Sequence, residues 1–214
     1  MKEMTATKIY HTSIRLGIYI AGIWIVSLGI VLCKKCGFGI SPISCIPFVL
    51  EKIVPLSFGM LTMIFHLVNT FLQAVLKKSL DIKLLLQIPV AFLFGWVIDL
   101  LQQCLTIPSD QVLLRVLALV FSVFFTALGM VCMVGMNLVQ NPPDGTVKSI
   151  SARYHKDFGK VKIGYDLTCV IIAVALGLIF LHRPAGIGIV TLVSAIFVGR
   201  TVSWLRGKVG GFCI

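Results

Sequence analysis

Four polar residues stand out in an otherwise apolar stretch: Thr62, His66, Asn69 and Gln73. Their spacing, i, i+4, i+7 and i+11, puts all four on one face of a helix. One hundred residues later the same register holds Lys162, Asp166, Cys169 and Ala173, so His66 and Asp166 fall in equivalent places. Imidazole, carboxamide and carboxylate groups can bind a polar solute through directional hydrogen bonds, or relay a proton. Lipid cannot satisfy such groups, so the face that carries them must meet protein or a water-filled cavity. The plainer reading is interhelical glue, worth about 0.6–2 kcal/mol per hydrogen bond. His66 alone would read as a satisfied core histidine.

Four ionisable residues fall inside apolar runs: Asp99, Arg115, Asp166 and Arg200. Placing such a group in a span costs roughly 2.5–3.5 kcal/mol on insertion scales, so each needs a partner or water. Their depths predict two pairings, Asp99 with Arg115 and Asp166 with Arg200. These can be stitches between helices. They can also be gates, with Asp166 as a proton- or cation-coupling carboxylate, and Arg200 can snorkel to the interface.

Two glycine- and proline-broken segments, residues 37–47 and 137–145, interrupt the chain at corresponding places. Ser41-Pro42 reads as a helix start, with serine as the cap and proline as the first helical residue. Asn141-Pro142-Pro143-Asp144 reads the same way. Half-helices entering from opposite faces would aim free N–H groups and positive dipole ends at the centre, which suits a carboxylate, phosphate or other anion. Ser41, Ser44, Asn141 and Asp144 would then shape the ends of a site whose middle is Thr62, His66, Asn69 and Gln73. Ordinary extramembrane loops with short surface helices are the alternative, favoured for the distal parts by Glu51, Lys52 and the polar run 148–160.

The elements that must position these residues follow from composition. The chain is 58% hydrophobic and 13% charged, with a mean hydropathy of +1.02, whereas soluble domains carry about 25% charged residues. Its apolar runs reach the roughly 20 residues that cross a bilayer as helix. Six spans are predicted, at about 14–33, 57–76, 84–103, 112–135, 161–181 and 186–205. With the N-terminus inside, fourteen of the nineteen Lys and Arg fall on the cytoplasmic side and four, Lys34, Lys35, Lys52 and Arg183, on the outer side, with Arg115 inside a span. That bias follows the positive-inside rule and puts both termini in the cytoplasm. It also accounts for the net charge of +11 without nucleic acid. The basic N-terminus leads into a full-length span, so no cleaved signal peptide is expected.

Offsetting the chain by one hundred residues aligns Arg15 with Arg115, Leu28-Gly29 with Leu128-Gly129, Pro42 with Pro142, and Phe58-Gly59 with Phe158-Gly159. The polar and breaker positions coincide without a gap. The expected fold is an all-α membrane protein of six spans, made of two three-helix repeats, 1–103 and 104–214, in one integral membrane domain. Three is odd, so the second repeat must lie inverted, and broken segments at corresponding positions then point to a binding site.

Ser27-Leu-Gly-Ile30, residues 37–42, Phe58-Gly59, Asn69, Gln87-Ile-Pro89 and residues 95–99 carry a resemblance to the YitT/YczE-type bacterial membrane proteins. Asp166, Gly186-Ile-Gly188 and Gly199 extend it through nearly the whole chain. The resemblance implies a bacterial cytoplasmic-membrane protein and brings no settled biochemical activity.

No enzyme motif is present: Gly-x-Ser-x-Gly, His-Glu-x-x-His and the phosphate-binding loop are missing, and Gly186-Ile-Gly188 lacks the strand a dinucleotide fingerprint needs. Cys33-Lys-Lys-Cys36 has redox or zinc spacing but no second pair, so neither a metal nor a cofactor is expected. The residues therefore point to a small permease for a polar or anionic solute bound near the midplane between the broken segments, with Asp99, Arg115, Asp166 and Arg200 in coupling or gating. The alternative is a non-transporting membrane scaffold or regulatory partner. Six short spans enclose little volume, which leaves room for a homodimer within the bilayer.

Overall fold

A computed structural model describes residues 2–108, 110–188, 190, 191, 194, 201 and 202, with side chains from Thr12 onward. The described residues are helical without a strand: α1 (Lys2–Lys35), a 3-10 turn (Pro42–Ser44), α2 (Cys45–Leu50), α3 (Phe58–Lys77), α4 (Ile82–Leu85), α5 (Gln87–Cys104), α6 (Val112–Met136), α7 (Pro142–Tyr154) and α8 (Phe158–Leu181). Among the described residues, five stretches are long and apolar enough to cross a membrane: Thr12–Lys35, Phe58–Lys77, Ile82–Cys104, Val112–Met136 and Phe158–Leu181. These match the first five predicted spans, and the chain is a multi-pass helical membrane protein. Most of the predicted sixth span, 186–205, and with it Arg200, lies outside the described residues.

The breakers act where their chemistry requires. Helical structure starts at Pro42 after the extended Ser41, and at Pro142 after Asn141, because proline's fixed φ and missing N–H suit a first helical position. α3 and α8 also start in register. Ser57 accepts from Met60 N–H, and Asp157 accepts from Lys160 N–H. The first broken segment is pinned by backbone. Ile40 N–H donates to Gly186 O and Val190 N–H donates to Phe38 O, both at 3.3 Å. Gly39, at φ +112°, lies so close to Gly188 that a Cβ on it would sit 2.7 Å from that residue's nitrogen. Only glycine tolerates both the backbone angle and the approach.

α1 and α6 cross antiparallel through small residues. A Cβ on Gly29 would meet Ser122 O at 2.9 Å, and one on Gly129 would meet Gly22 O at 2.7 Å. At the ends of the same pair, Arg15 donates to Met136 O at 2.7 Å and Arg115 donates to Cys36 O at 2.8 Å. Each contact maps onto its partner when the numbering is shifted by one hundred. Each arginine caps the carbonyl end of the other helix, where a cation meets the negative dipole end. Helix partners follow the same exchange, since α2 packs on α8 as α7 packs on α3.

Candidate functional site

The polar face of α3 is directed inward, against α5 and α7. Thr62, His66, Asn69 and Gln73 are all buried. Thr62 returns its hydroxyl proton to Phe58 O at 2.7 Å. Gln73 donates to Pro142 O at 3.0 Å and exchanges hydrogen bonds with Gln87, Nε2 to Oε1 at 2.9 Å and back at 3.1 Å. Thr70 adds a donor to Gln87 Oε1 at 2.9 Å. This contact needs Gly145 on α7, because a Cβ there would fall 2.3 Å from Gln73 Oε1. Asn69 receives Tyr165 O–H from α8 at 2.6 Å, and its carbonyl receives Thr146 O–H from α7 at 3.1 Å. Asn69 and Gln73 therefore bind helix to helix, which is the glue reading for those two positions.

His66 differs. It is 4% exposed, packs edge-on against Phe94 with ring centroids 5.2 Å apart, and its Nδ1 has no hydrogen-bond partner. A buried imidazole nitrogen without a partner is costly unless water or a ligand reaches it.

The charged centre lies where α7 meets α8. Lys162 Nζ stands 3.2 Å from Asp144 Oδ1 and 3.1 Å from Asp166 Oδ1. One ammonium is shared by two carboxylates, one from the first turn of α7 and one a helical turn along α8. Asn141 Nδ2 donates to Asp144 Oδ2 at 3.2 Å, while its Oδ1 is buried and unpartnered. The positive end of α7 already holds the negative charge of Asp144. Lys162 was visible in the sequence as a member of the α8 register. The i, i+4 spacing to Asp166 hinted at its partner, but nothing local announced Asp144.

The predicted pairing of Asp99 with Arg115 does not form. Asp99 accepts from Ser57 O–H and from Gly59 N–H, the latter at 2.8 Å, and so caps α3 from the side of α5. Arg115 donates to Cys36 O and lies 4.5 Å from the centre of the Phe38 ring. The two groups lie near the adjoining ends of α5 and α6, yet helix ends offered each a nearer partner. Asp166 pairs with Lys162, and the predicted partner Arg200 falls outside the described residues. On the side of Asp99, Lys34 joins Glu51 at 2.6 Å and Gln102 at 2.6 Å, tying α1 to the residue after α2 and to α5.

A cavity of about 610 Å³ opens beside α7. Of the predicted site residues, Gln73, Asn141 and Asp144 line it, while Ser41, Ser44, Thr62, His66 and Asn69 do not. Ser41 donates to Ser44 at 3.1 Å, and Ser44 is buried as the last residue of the 3-10 turn that packs on α8. The space is thus next to the second broken segment. Among the described residues no group of three or more His, Cys, Asp or Glu is arranged to hold a metal ion.

Fold and site together define a multi-pass helical membrane protein with a charged, partly open interior. The chain belongs to the family of unknown function DUF6198, which matches residues 13–207. No curated protein and no solved structure matches it.

Proposed function

We propose that this protein is a small permease for a polar or anionic solute, with its charged centre at Asp144, Lys162 and Asp166. The observation that carries the reading is the shared ammonium of Lys162, held at 3.2 and 3.1 Å between carboxylates of two different helices beside a cavity. Intramembrane ionisable groups are expensive and concentrate on solute and proton pathways. A lysine between two carboxylates has two nearly equivalent partners, so a small movement of α7 against α8 transfers it from one to the other. Solute in the cavity would meet Asn141, whose Oδ1 has no hydrogen-bond partner. Asp99 and Arg115 act in this scheme as stitches that hold α3 and α6 in place.

The architecture completes the proposal. Two inverted three-helix repeats, with 186–205 as the sixth span, agree with the hundred-residue exchange of the arginine caps and glycine contacts between α1 and α6. Both termini lie in the cytoplasm of a bacterial cell, and kinship with the YitT/YczE-type proteins is part of the same reading. Inverted repeats with broken segments are a common plan among secondary transporters.

The test is uptake into proteoliposomes of inorganic phosphate, pyruvate and glycine, with an internal pH dye and with Asp166→Asn as the comparison. Uptake above protein-free vesicles, reduced at least tenfold by Asp166→Asn, supports the permease. No uptake and no pH change for any probe would leave the scaffold reading in its place.

A further inference from the structure

We infer that the cavity beside α7 is a binding site for an anionic amphiphile, a compound with one phosphate or carboxylate head and an apolar chain. Its two walls differ in kind. α7 and its cap residue Asn141 present Asn141, Lys148, Ser149 and Arg153 along one side, while Phe94, Met130, Met133 and Val134 from α5 and α6 form the other. A wholly polar solute would leave the aromatic and methionine wall unfilled, and a wholly apolar one would strip water from the lysine side without replacing it. A ligand with both characters meets both walls. The volume, about 610 Å³, lies within the roughly 300–1,000 Å³ of small-molecule sites.

Charge selects the head. Lys77, Lys83, Lys148 and Arg153 line the cavity and are exposed, which places them at its solvent side. Lys77 is engaged by Asp81 at 3.6 Å, and Arg153 donates to Leu76 O at 3.1 Å. Lys83 and Lys148 have no ion pair among the described residues, and the one carboxylate on the wall, Asp144, is held by Lys162 at 3.2 Å. The uncompensated charge at the opening is positive. A phosphate or carboxylate there neutralises it, while the chain runs inward along Met130 and Met133. A basic pocket between membrane helices is the kind of place that holds anionic head groups. This inference rests on the same cavity as the permease reading, whose solute class it narrows.

The test is calorimetric titration of the protein in phosphatidylcholine nanodiscs with octyl phosphate, alongside octyl maltoside, inorganic phosphate and protein-free discs. Octyl phosphate is expected to bind at least tenfold more tightly than either comparison compound. Lys83→Gln with Lys148→Gln should weaken it about tenfold, as should Val134→Trp, which fills the cavity from a half-exposed position. Unfolding curves of both variants establish that they remain folded. Repeating the titration in discs containing phosphatidylglycerol assigns the source. Lost octyl phosphate binding there identifies a bilayer lipid, and retained binding identifies a free amphiphile; either carries the inference. Equal binding of octyl phosphate and octyl maltoside, or variants within twofold of the parent, would overturn it. Binding without vesicle uptake would remove the permease reading alone. Uptake of pyruvate or phosphate without octyl phosphate binding would remove this inference alone.

Discussion

Replacing Lys162 with methionine should destabilise the protein more than any other single change at the charged centre. The substitution nearly preserves side-chain volume and removes the positive charge that, among the described residues, lies between Asp144 and Asp166. At 3.1–3.2 Å and an effective dielectric constant of 20, each attraction is about 5 kcal/mol before desolvation is subtracted. Removing one partner of a buried ion pair typically costs about 3–5 kcal/mol, because the other charge stays behind. The side chains retain 25% exposure for Lys162, 15% for Asp144 and 19% for Asp166, so solvent screens part of the effect and the lower end, about 3 kcal/mol, is expected. Combining Lys162→Met with Asp144→Asn and Asp166→Asn leaves no stranded charge and should recover about 2 kcal/mol of that loss. Reversible denaturant unfolding in nanodiscs, followed by tryptophan fluorescence, measures both. A Lys162→Met cost below about 1 kcal/mol, or a triple variant no more stable than the single one, would refute the shared ion pair. The triple variant also separates structure from transport. It should fold and yet fail to take up solute, and unchanged uptake would exclude coupling through this centre.

Helix contact at Gly59 gives a second expectation. A Cβ there would lie 2.2 Å from Gly95 O, so Gly59→Ala should cost about 1–3 kcal/mol. Gly17→Ala meets nothing within 4 Å and should be neutral or up to about 1 kcal/mol stabilising in the same unfolding assay. Arg15→Ala and Arg115→Ala each delete a charged hydrogen bond to the end of the opposite helix. Losses of about 1.5–3 kcal/mol are expected for both, somewhat larger for Arg115 because of Phe38, and an effect confined to one would contradict the exchange symmetry. Burial pushes the Cys36 thiol above its ordinary value of 9.0. The folded protein therefore keeps a proton that the unfolded chain releases above pH 9, and stability is unaffected below that pH and falls above it. Maleimide should accordingly label Cys36 slowly at pH 7.5 in the folded protein and at the rate of a free thiol after unfolding; fast labelling of the folded form would contradict its burial.

Features that depend on one element at a time are legible along the chain. Apolar run lengths gave five of the spans. Ser41-Pro42 and Asn141-Pro142 marked two helix starts, because proline's geometry acts on its own residue. The spacing of Thr62, His66, Asn69 and Gln73 placed them on one buried face, since helical periodicity is a local property. What that face meets depends on how the helices pack. Gln73 and Asn69 turned out to join α3 to α5, α7 and α8, whereas His66 kept an unpartnered nitrogen, a difference set by the neighbours each reaches. Asp99 and Arg115 lie near the adjoining ends of α5 and α6, yet one caps α3 and the other caps α1, because a helix end within hydrogen-bond range outcompetes an opposite charge farther away. Lys162 and Asp144 are separated by eighteen positions and a change of helix, and nothing in either helix's own pattern records that contact. Local periodicity and backbone chemistry can be read along a chain, but a shared charge depends on how two helices are brought together.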